Sequence, residues 1–356
     1  MKTIYSFLFD HRMSGNYIHV KSILDTLSTK YNFVVFSTGK SSLSNKILLN
    51  LRHRFKSFYL LDVICNVFVI SWAYLVDRYW HKKQVVLFHV FGGANIAPII
   101  AARVLGVPVV WTLLEVTSQY SQLVKIGLYI LKGHKHQVTV VAHAIVPAYG
   151  LKDALYIPCS VDRDFWQEQC SRNTGPDSVI SLVAVGNINP LKGYEVLLGA
   201  LLKSPRIFTL SIVGAPLHTQ KEYSLKLIEL ADKIHLKNRL NKVNFLGLCN
   251  SQKIKSLIVD CDIFVMPSLS EAAPIALLEA MSVGCYCVAS SVGDIPAFLS
   301  DYGRGEIFPP GDVDALSRII DLYSREDAYS VRTSFPVEFT IKSMAKKYDL
   351  AFKAMQ

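Results

Sequence analysis

The sequence predicts an α/β protein made of two doubly wound, Rossmann-like domains. Two observations lead to this prediction: short apolar runs rich in β-branched residues alternate with longer periodic segments, and the alternation starts afresh near residue 160. The length of 356 residues agrees, because a single hydrophobic core usually stops growing near ~250 residues. Apolar residues make up 51% of the chain, which is enough for two cores.

The N-terminal half repeats a unit of strand, turn and helix. Its predicted strands are "TIYSFLF", "NFVVFSTG", "VVLFHVFGG", "VPVVWTLLE" and "QVTVVAHAI", and its helices lie in "DHRMSGNYIHVKSILDTLSTK" and "ANIAPIIAARVLG". Continuous apolar runs of this kind are typical of strands that are buried on both faces. We therefore expect a parallel sheet that is covered by helices.

The second half repeats the same theme. Its predicted strands are "SLVAVGNI", "FTLSIVG", "KVNFLGL", "IFVMPS" and "CYCVASS", and its helices are "GYEVLLGALL", "KEYSLKLIELADKIHL" and "IALLEAMSVG". We place the boundary in "YIPCSVDRDFW", which predicts domains at residues 1–158 and 159–336 and a final helix at 337–356 that crosses back to the first domain. Ligands of such sheets bind beyond the carboxyl ends of the strands, so we expect the site in the cleft between the domains.

The net charge of +10 is concentrated in the N-terminal half. Residues 1–160 contain 17 of the 38 basic and 6 of the 28 acidic residues, a balance of +11, and the remaining 21 and 22 balance to −1. A nucleic-acid partner is disfavoured because no zinc-ligand spacing, basic region or RNP-type aromatic motif accompanies the charge. An anionic membrane surface is therefore the favoured partner of this half.

One segment interrupts the alternation. "LSNKILLNLRHRFKSFYLL" places apolar residues on one helical face, and Arg52, Arg54 and Lys56 are the predicted cations of a membrane or acceptor surface. The alternative is an ordinary domain helix followed by a buried helix in "DVICNVFVISWAYLV". A membrane-spanning helix is disfavoured, because Asp62 and Asn66 leave fewer than the ~18–20 apolar residues that a span requires.

Cysteine usage and the N-terminal residues indicate the compartment. The seven cysteines show no paired framework, which is typical of a reducing cytosol. The apolar run in "MKTIYSFLFDHR" is too short for a secretory signal, and Asp10 ends it. We therefore expect a cytoplasmic protein that is peripherally associated with the inner face of the cytoplasmic membrane.

The stretch "PSLSEAAPIALLEAMSVG" carries the strongest chemical signal. A helix that starts at Pro274 places this proline at the first helical position, where its missing N–H is tolerated. Glu271 then precedes the helix, and Glu279 lies about a turn and a half inside it. The free N–H groups of the first turn predict an anion site between the two acids. These groups belong to Ile275, Ala276 and Leu277.

This E-x7-E stretch and four others resemble the donor site of the retaining glycosyltransferases of family 4, which have the GT-B fold. The four are "YIPCSVDRDFW", "VAVGNINPLKGYEVLLGAL", "VNFLGLCNSQKIKSLIVDCD" and "GEIFPPGDVDAL". Together the five cover most of residues 155–320, whereas the N-terminal half is similar only in outline. The resemblance implies two Rossmann-like doubly wound domains that face each other across a cleft.

The resemblance also implies roles for individual residues. Glu271 contacts the donor sugar and stabilises positive charge at its anomeric carbon, Lys192 neutralises the leaving diphosphate, and Glu279 holds the ribose hydroxyls. The other implied donor-binding positions are Gly15, Gly186, Asn187, Pro274, Ile275, Ala276 and Leu277. The chemistry agrees, because a lysine and a helix N-terminus stabilise a departing diphosphate without a metal. No metal and no cofactor are expected.

Three positions depart from the family's pattern. Asn187 stands where the family has a phosphate-binding Arg, Ala272-Ala273 replace Gly-Phe, and Leu114 occupies a position that is often His, which leaves Glu115 as a nearby substitute. Two alternatives therefore stay open. One is a subunit that binds sugar nucleotide or lipid without catalysis, and the other is a nucleotide-sugar epimerase or phosphorylase of the same fold.

Two further patterns receive structural interpretations. Asp162 with Asp164 and Asp312 with Asp314 form D-x-D patterns, which hold metal in some proteins, and here we expect turn and capping roles. His89 precedes "VFGG" and is expected to be an ordinary strand residue, since the third glycine of a dinucleotide fingerprint is absent.

The sequence thus predicts a metal-independent, retaining hexosyltransferase. The donor is a nucleotide diphosphate sugar, a UDP-sugar being favoured over a GDP-sugar. The acceptor is a lipid-linked oligosaccharide of a bacterial surface polysaccharide such as O-antigen, capsule or exopolysaccharide, and it is presented at the membrane.

Overall fold

The computed structural model describes residues 1–8, 15–37, 59–116, 120–167, 170, 179–216, 218–272, 274–330 and 333–356. The chain forms two compact units. The N-terminal unit comprises Met1–Ser160 and Ile341–Gln356, and the C-terminal unit comprises Val161–Thr340. Arg52, Arg54 and Lys56, the predicted membrane-facing cations, lie outside the described residues.

The N-terminal unit contains a six-stranded parallel sheet of order β2-β1-β3-β4-β5-β6. Its strands are β1 (Lys2–Leu8), β2 (Tyr31–Ser37), β3 (Val85–Phe91), β4 (Val109–Leu113), β5 (His136–Val140) and β6 (Leu155–Tyr156). Its first helices are α1 (Gly15–Leu27), α2 (Tyr59–Leu75), α3 (Ile96–Leu105), α4 (Ser121–Leu131) and α5 (Ile145–Tyr149). The central strands are buried almost throughout, as their continuous apolar runs predict.

The C-terminal unit contains a second six-stranded parallel sheet, of order β12-β11-β10-β7-β8-β9. Its strands are β7 (Val179–Val185), β8 (Ile207–Val213), β9 (Lys242–Phe245), β10 (Ile263–Met266), β11 (Tyr286–Ser290) and β12 (Gly305–Phe308). Its helices are α6 (Tyr194–Lys203), α7 (Lys221–Lys237), α8 (Ser251–Val259), α9 (Ile275–Ser282), α10 (Ile295–Tyr302), α11 (Val313–Leu322) and α12 (Arg325–Ser330). The strand order reverses between β7 and β10, which are neighbours in the sheet.

A buried carboxylate ties β7 to β10 at the ends where the two strands begin. Asp262 is 1% exposed, and its carboxylate accepts hydrogen bonds from the backbone N–H and the hydroxyl of Ser181, at 2.8 and 2.9 Å. The Arg325 guanidinium donates to the same carboxylate from Nε and Nη2, at 2.6 and 2.9 Å. A buried charge with this many partners holds the two strands in register.

The last helix, α13 (Ile341–Ala354), belongs to the N-terminal unit, where it packs against α1. The buried Asp349 accepts hydrogen bonds from Lys30 Nζ at 2.7 Å and from Tyr31 Oη at 2.8 Å. Burial by itself would raise the pKa of Asp349, but hydrogen bonds from Lys30, Lys353 and Tyr31 outweigh it and lower the pKa to about 2. The negative charge of Asp349 therefore holds α13 on this unit.

The apolar segment at 62–76, for which a buried helix is the alternative interpretation, is exposed along one side in the structure and is therefore not a buried helix. The helix Leu60–Trp80 comprises α2 from its second residue onward and the π-helical turn that continues it, and it is long and apolar enough to cross a membrane by length and composition. A membrane-spanning helix is disfavoured by the sequence because Asp62 and Asn66 interrupt the apolar run. Ile70 and Tyr74 are buried, yet only 22% of the 18-residue apolar stretch of this helix is buried.

We predict that Asp349→Asn lowers the free energy of unfolding by about 1–3 kcal/mol at neutral pH, because buried hydrogen bonds to a charge are lost. Denaturant titration measures this change. The folded pKa of about 2 lies below the unfolded value of 3.8, so the wild-type advantage is complete above pH ~4 and disappears as the pH falls through ~2.

Asp25→Asn is the matched control for this prediction. Asp25 pairs with Lys21 one helical turn away, but its side chain is 55% exposed. Its removal should cost less than ~1 kcal/mol. Equal losses in the two variants would contradict the anchoring role of Asp349.

Candidate active site

The point where the strand order of the C-terminal sheet reverses positions two loops side by side. The β7 loop (residues 186–193) leaves the carboxyl end of β7, and the β10 loop (residues 267–274) leaves the carboxyl end of the neighbouring β10. Beyond such a reversal the two chains continue to opposite faces of the sheet, and open parallel sheets bind their ligands in the crevice at the carboxyl ends of these strands. Both sequence-predicted catalytic residues, Lys192 and Glu271, lie in these loops.

The two loops are joined through their backbones. The N–H of Leu269 donates to the carbonyl oxygen of Leu191 at 2.8 Å. Gly193 has a φ of +64°, and a Cβ atom there would lie 2.0 Å from the carbonyl oxygen of Pro267. Only glycine permits this approach. The backbones that carry Lys192 and Glu271 are therefore held at a set separation.

Lys192 and Glu271 form an ion pair between Nζ and Oε2. Their side chains are 25% and 16% exposed, so the pair lies at a partly buried surface where a ligand can reach it. The hydroxyl of the buried Ser268 donates to the same Glu271 oxygen at 3.4 Å. Ser268 was missed as a site residue, although the Ser-x-x-Glu spacing in the sequence was available to indicate the contact.

The third part of the site is the N-terminus of α9. Pro274 is the N-cap, with φ −77° and ψ 107°, and the helix begins at Ile275, one residue later than predicted. The Leu278 N–H donates to the carbonyl oxygen of Pro274 at 3.3 Å, so the proline precedes every intrahelical N–H donor, as predicted. The N–H groups of Ile275, Ala276 and Leu277 belong to the first turn and have no partner within the helix. The site thus offers aligned N–H groups beside a lysine.

Glu279 lies on α9, within the helix that follows Pro274. The side chain keeps partial solvent exposure, but burial of its carboxyl raises the pKa to about 8. The group is therefore mostly protonated at neutral pH in the ligand-free protein. A neutral carboxyl both donates and accepts hydrogen bonds, which suits hydroxyl groups of a ligand.

Close backbone packing also supports Gly186 and Asn187. The carbonyl oxygen of Gly186 accepts from Tyr194 Oη at 2.8 Å, and its N–H donates to Val213 at 2.9 Å. A Cβ atom at Gly214, whose φ is +144°, would lie 1.9 Å from the Gly186 carbonyl oxygen. Gly214 and Tyr194 were not predicted as site residues. Both act through their contact with the Gly186 carbonyl oxygen, and sequence spacing does not show that they lie next to Gly186.

The loop after β11 approaches the backbone of Glu271 closely. Gly293 in this loop has a φ of +55°, and a Cβ atom there would lie 2.3 Å from the carbonyl oxygen of Glu271. Gly15, the remaining predicted donor-binding residue, is the first residue of α1 in the N-terminal unit.

The structural interpretations of the aspartates and of His89 are confirmed. Asp162 accepts from the N–H groups of Asp164 and Phe165 in a turn, at 3.1 and 3.3 Å. Asp312 caps α11 by accepting from Ala315 at 2.8 Å. His89 lies buried within β3, with its Nε2 2.9 Å from the Thr112 hydroxyl.

Comparison with known proteins assigns the segment that carries these loops. Residues 166–334 match the family described as Glycosyl transferases group 1. The matched segment lies within the C-terminal unit and includes the β7 loop, the β10 loop and α9.

Curated relatives match a part of the chain of similar length. The D-inositol 3-phosphate glycosyltransferase of Mycolicibacterium smegmatis is 30% identical over 154 residues, which are 42% of this chain and 34% of that protein. The amylovoran biosynthesis glycosyltransferase AmsK of Erwinia amylovora is 28% identical over 159 residues, 42% of this chain and 37% of that protein. The chain therefore matches about a third of the length of these relatives.

Solved structures extend the likeness to both units. Anabaena Alr3699/HepE in complex with UDP-glucose superposes with a TM-score of 0.79 at 16% identity, covering 99% of this chain and all of that one. The similarity at this level of identity is one of fold. The predicted fold class, the GT-B fold with two Rossmann-like doubly wound domains, is confirmed.

We predict that Gly193→Ala displaces the two loops. The left-handed φ alone costs about 1–2 kcal/mol for a residue with a Cβ, and the contact with the Pro267 carbonyl oxygen adds to it. Thermal unfolding measures the loss. Gly150→Ala is the control, because Gly150 has the same φ of +64° but no atom within 4 Å of its Cβ position. Equal losses would show that the contact with Pro267 has no effect.

We predict that Glu279→Gln stabilises the protein increasingly as the pH rises. The folded pKa of about 8 exceeds the model-peptide value of 4.5, so the wild type loses stability between these pH values as its buried carboxyl becomes charged. The melting temperature of the variant minus that of the wild type should increase from pH 5 to pH 9. Glu222→Gln, at an exposed position on α7, supplies the control. Parallel curves for Glu279→Gln and wild type would contradict the burial of Glu279.

Proposed function

We propose that the protein is a retaining, family 4 glycosyltransferase that moves a hexose-type sugar from a nucleotide diphosphate donor, a UDP-sugar being favoured over a GDP-sugar. The observation that carries the proposal is the Lys192–Glu271 ion pair, held where the strand order reverses and beside the N-terminus of α9. The match of residues 166–334 to group 1 glycosyl transferases supports it.

The proposed donor site binds the diphosphate by charge and by backbone donors. Lys192 meets one side of the diphosphate, and the N–H groups of Ile275, Ala276 and Leu277 meet the other through the positive end of the α9 dipole. Glu279 holds the ribose hydroxyls. This arrangement supplies the positive charge that a leaving diphosphate needs, so the proposal assigns no role to a metal.

The ion pair represents the ligand-free state in this scheme. A diphosphate carries more negative charge than one carboxylate and therefore competes with Glu271 for Lys192. Once the lysine turns to the diphosphate, Glu271 is available to accept hydrogen bonds from sugar hydroxyls. The exchange couples donor binding to the release of the carboxylate that faces the anomeric carbon.

The proposed transfer proceeds in one step, without a covalent intermediate on the enzyme. The bond between the anomeric carbon and the β-phosphate oxygen breaks, and its electron pair stays on the diphosphate, where Lys192 and the α9 N–H groups stabilise it. An acceptor hydroxyl attacks the same face of the sugar and passes its proton to the departing phosphate oxygen. Glu271 stabilises the positive charge that develops at the anomeric carbon, and the configuration is retained.

The acceptor is proposed to be a lipid-linked oligosaccharide in the synthesis of a bacterial surface polysaccharide, such as O-antigen, capsule or exopolysaccharide. The excess charge of +11 in residues 1–160 favours an acceptor presented on an anionic surface, at the inner face of the cytoplasmic membrane. The name of the Erwinia relative, an amylovoran biosynthesis glycosyltransferase, supports this class of pathway.

The test begins with a screen of nucleotide sugars for thermal stabilisation, because a ligand that binds the native state raises its melting temperature. With the stabilising donor, Lys192→Ala should weaken donor binding and lower transfer by a factor of about 10² to 10³, as loss of one charge-stabilising group does in other enzymes. Glu271→Gln should bind the donor nearly as well but lower turnover by a similar factor. Chelator should leave the wild-type rate unchanged.

Lys203→Ala and Asp314→Asn are the matched controls, since they break an exposed ion pair of 2.6 Å in the same unit. Both should retain transfer. Near-normal rates in Lys192→Ala and Glu271→Gln would refute the site. Donor binding without turnover on any acceptor pool would favour the non-catalytic subunit, an alternative that is suggested by Asn187 in place of the expected Arg. Product formed from donor alone would favour an epimerase.

A further inference from the structure

The outward face of the helix Leu60–Trp80 is apolar. The residues of this face, which we call the α2 apolar face, recur every three or four positions and therefore lie on one side of the helix. They are Leu61, Ile64, Phe68, Trp72, Leu75 and Tyr79. All are at least 40% exposed, and Phe68 and Trp72 reach 72% and 71%. A surface helix of a soluble protein normally shows the opposite pattern, with its polar side outward.

The opposite side of the same helix is fixed to the sheet of the N-terminal unit. Ile70 and Tyr74 are buried, and the Tyr74 ring contacts Phe88 edge-on at 6.2 Å between centroids. The buried Asp77 accepts from Tyr5 Oη at 2.7 Å and pairs with Lys83 at 2.9 Å. These contacts fix the orientation of the helix, so the α2 apolar face points away from the sheet.

Aromatic residues and cations extend this surface at the C-terminal end of the helix. Trp80 is 84% exposed and Tyr79 is 72% exposed, and Arg78 and Lys82 are exposed beside them. Tryptophan and tyrosine are enriched where a membrane meets water, because their rings are apolar and their N–H and O–H groups are polar. Arginine and lysine at the same level attract anionic headgroups.

We propose that the α2 apolar face inserts into the interfacial layer of an anionic lipid bilayer and lies parallel to its surface. The helix cannot be surrounded by lipid, because its other side packs on the sheet through Ile70, Tyr74 and the buried, paired Asp77. The structure therefore favours an in-plane helix over a membrane-spanning one. The surface differs from the predicted one, which relied on Arg52, Arg54 and Lys56.

Charge favours lipid over a second copy of the chain as the occupant of this face. Residues 1–160 carry an excess charge of +11, so two such surfaces repel each other when they are apposed, whereas an anionic bilayer attracts them. Burial of a large aromatic side chain in lipid adds about 1.5–3 kcal/mol, which makes Phe68 and Trp72 the main contributors.

This inference deepens the proposed function by naming the surface that brings the protein to a lipid-linked acceptor. It requires no step of the transfer chemistry. Lys192→Ala should therefore bind vesicles like the wild type although it loses transfer. A wild-type protein that binds vesicles but transfers no sugar from any donor would refute the proposed function alone.

The experiment uses the full chain and vesicles of phosphatidylcholine with or without phosphatidylglycerol. Flotation measures the partition coefficient, and vesicles made with brominated lipid test insertion by quenching tryptophan fluorescence. Of the four tryptophans, Trp111 and Trp166 are buried within the two units, so quenching reports on Trp72 and Trp80. We expect flotation that depends on phosphatidylglycerol, together with quenching.

The variant Phe68→Gln with Trp72→Gln should lower the partition coefficient at least about tenfold, since each lost aromatic contact costs more than 1.4 kcal/mol. Leu236→Gln is the control, because Leu236 is 77% exposed on α7 of the C-terminal unit and lies outside the proposed surface. Its flotation should not change. Circular dichroism and donor-induced stabilisation confirm that each variant is folded.

Four results would overturn the proposal. The first is vesicle binding that is unaffected in the double variant, and the second is vesicle binding that is absent in the wild type. Another is a dimer in solution that the double variant abolishes while no vesicle binding occurs, which would assign the face to a second copy. The last is resistance of the vesicle-bound protein to alkaline carbonate extraction, which would indicate a spanning helix.

Discussion

The pairing of β7 with β10 is the constraint on which the candidate site depends. These two strands are neighbours in the sheet although they are far apart in the chain, and the buried Asp262 joins them through Ser181 and Arg325. The loops that follow them, with Lys192 and Glu271, therefore leave the sheet at the same point. Without this pairing, a lysine and a glutamate 79 residues apart would have no reason to form an ion pair.

Backbone proximity then turns adjacent loops into a defined site. Gly193, Gly214 and Gly293 each stand where a Cβ atom would collide with a carbonyl oxygen of another loop. Such contacts leave little freedom for the loops to move independently, so the ion pair and the N-terminus of α9 keep their relative positions. This preorganisation is what stabilisation of a developing charge requires.

The two units divide the physical tasks. The C-terminal unit combines a cation, an acid and helix N–H groups, which suit a sugar attached to a diphosphate. The N-terminal unit combines a positive charge excess with the α2 apolar face, which suits a lipid surface. A transferase acting on a lipid-linked acceptor needs both properties, and each arises from features of its own unit.

Much of this could be predicted from the chain alone. The alternation of strands and helices, the two sheets, the helix start beside Pro274 and the pairing of Lys192 with Glu271 in one site all follow from local patterns and from a family resemblance, because hydrophobic periodicity and helix-end preferences are properties of neighbouring residues. The roles proposed for the site residues stay predictions.

Other features needed the folded chain. The raised pKa of Glu279 depends on how deeply its carboxyl is buried, and the importance of Gly214 and Gly293 depends on which carbonyl oxygen each one meets. From its sequence alone, the apolar segment that contains α2 is equally compatible with a buried helix, because periodicity shows that a face is apolar but not what covers it. In the structure, no residue of the described chain covers the α2 apolar face, because the helix packs on the sheet only with the side that contains Ile70 and Tyr74. Whether a residue is buried depends on residues far away in the sequence, so burial is determined only when the chain packs.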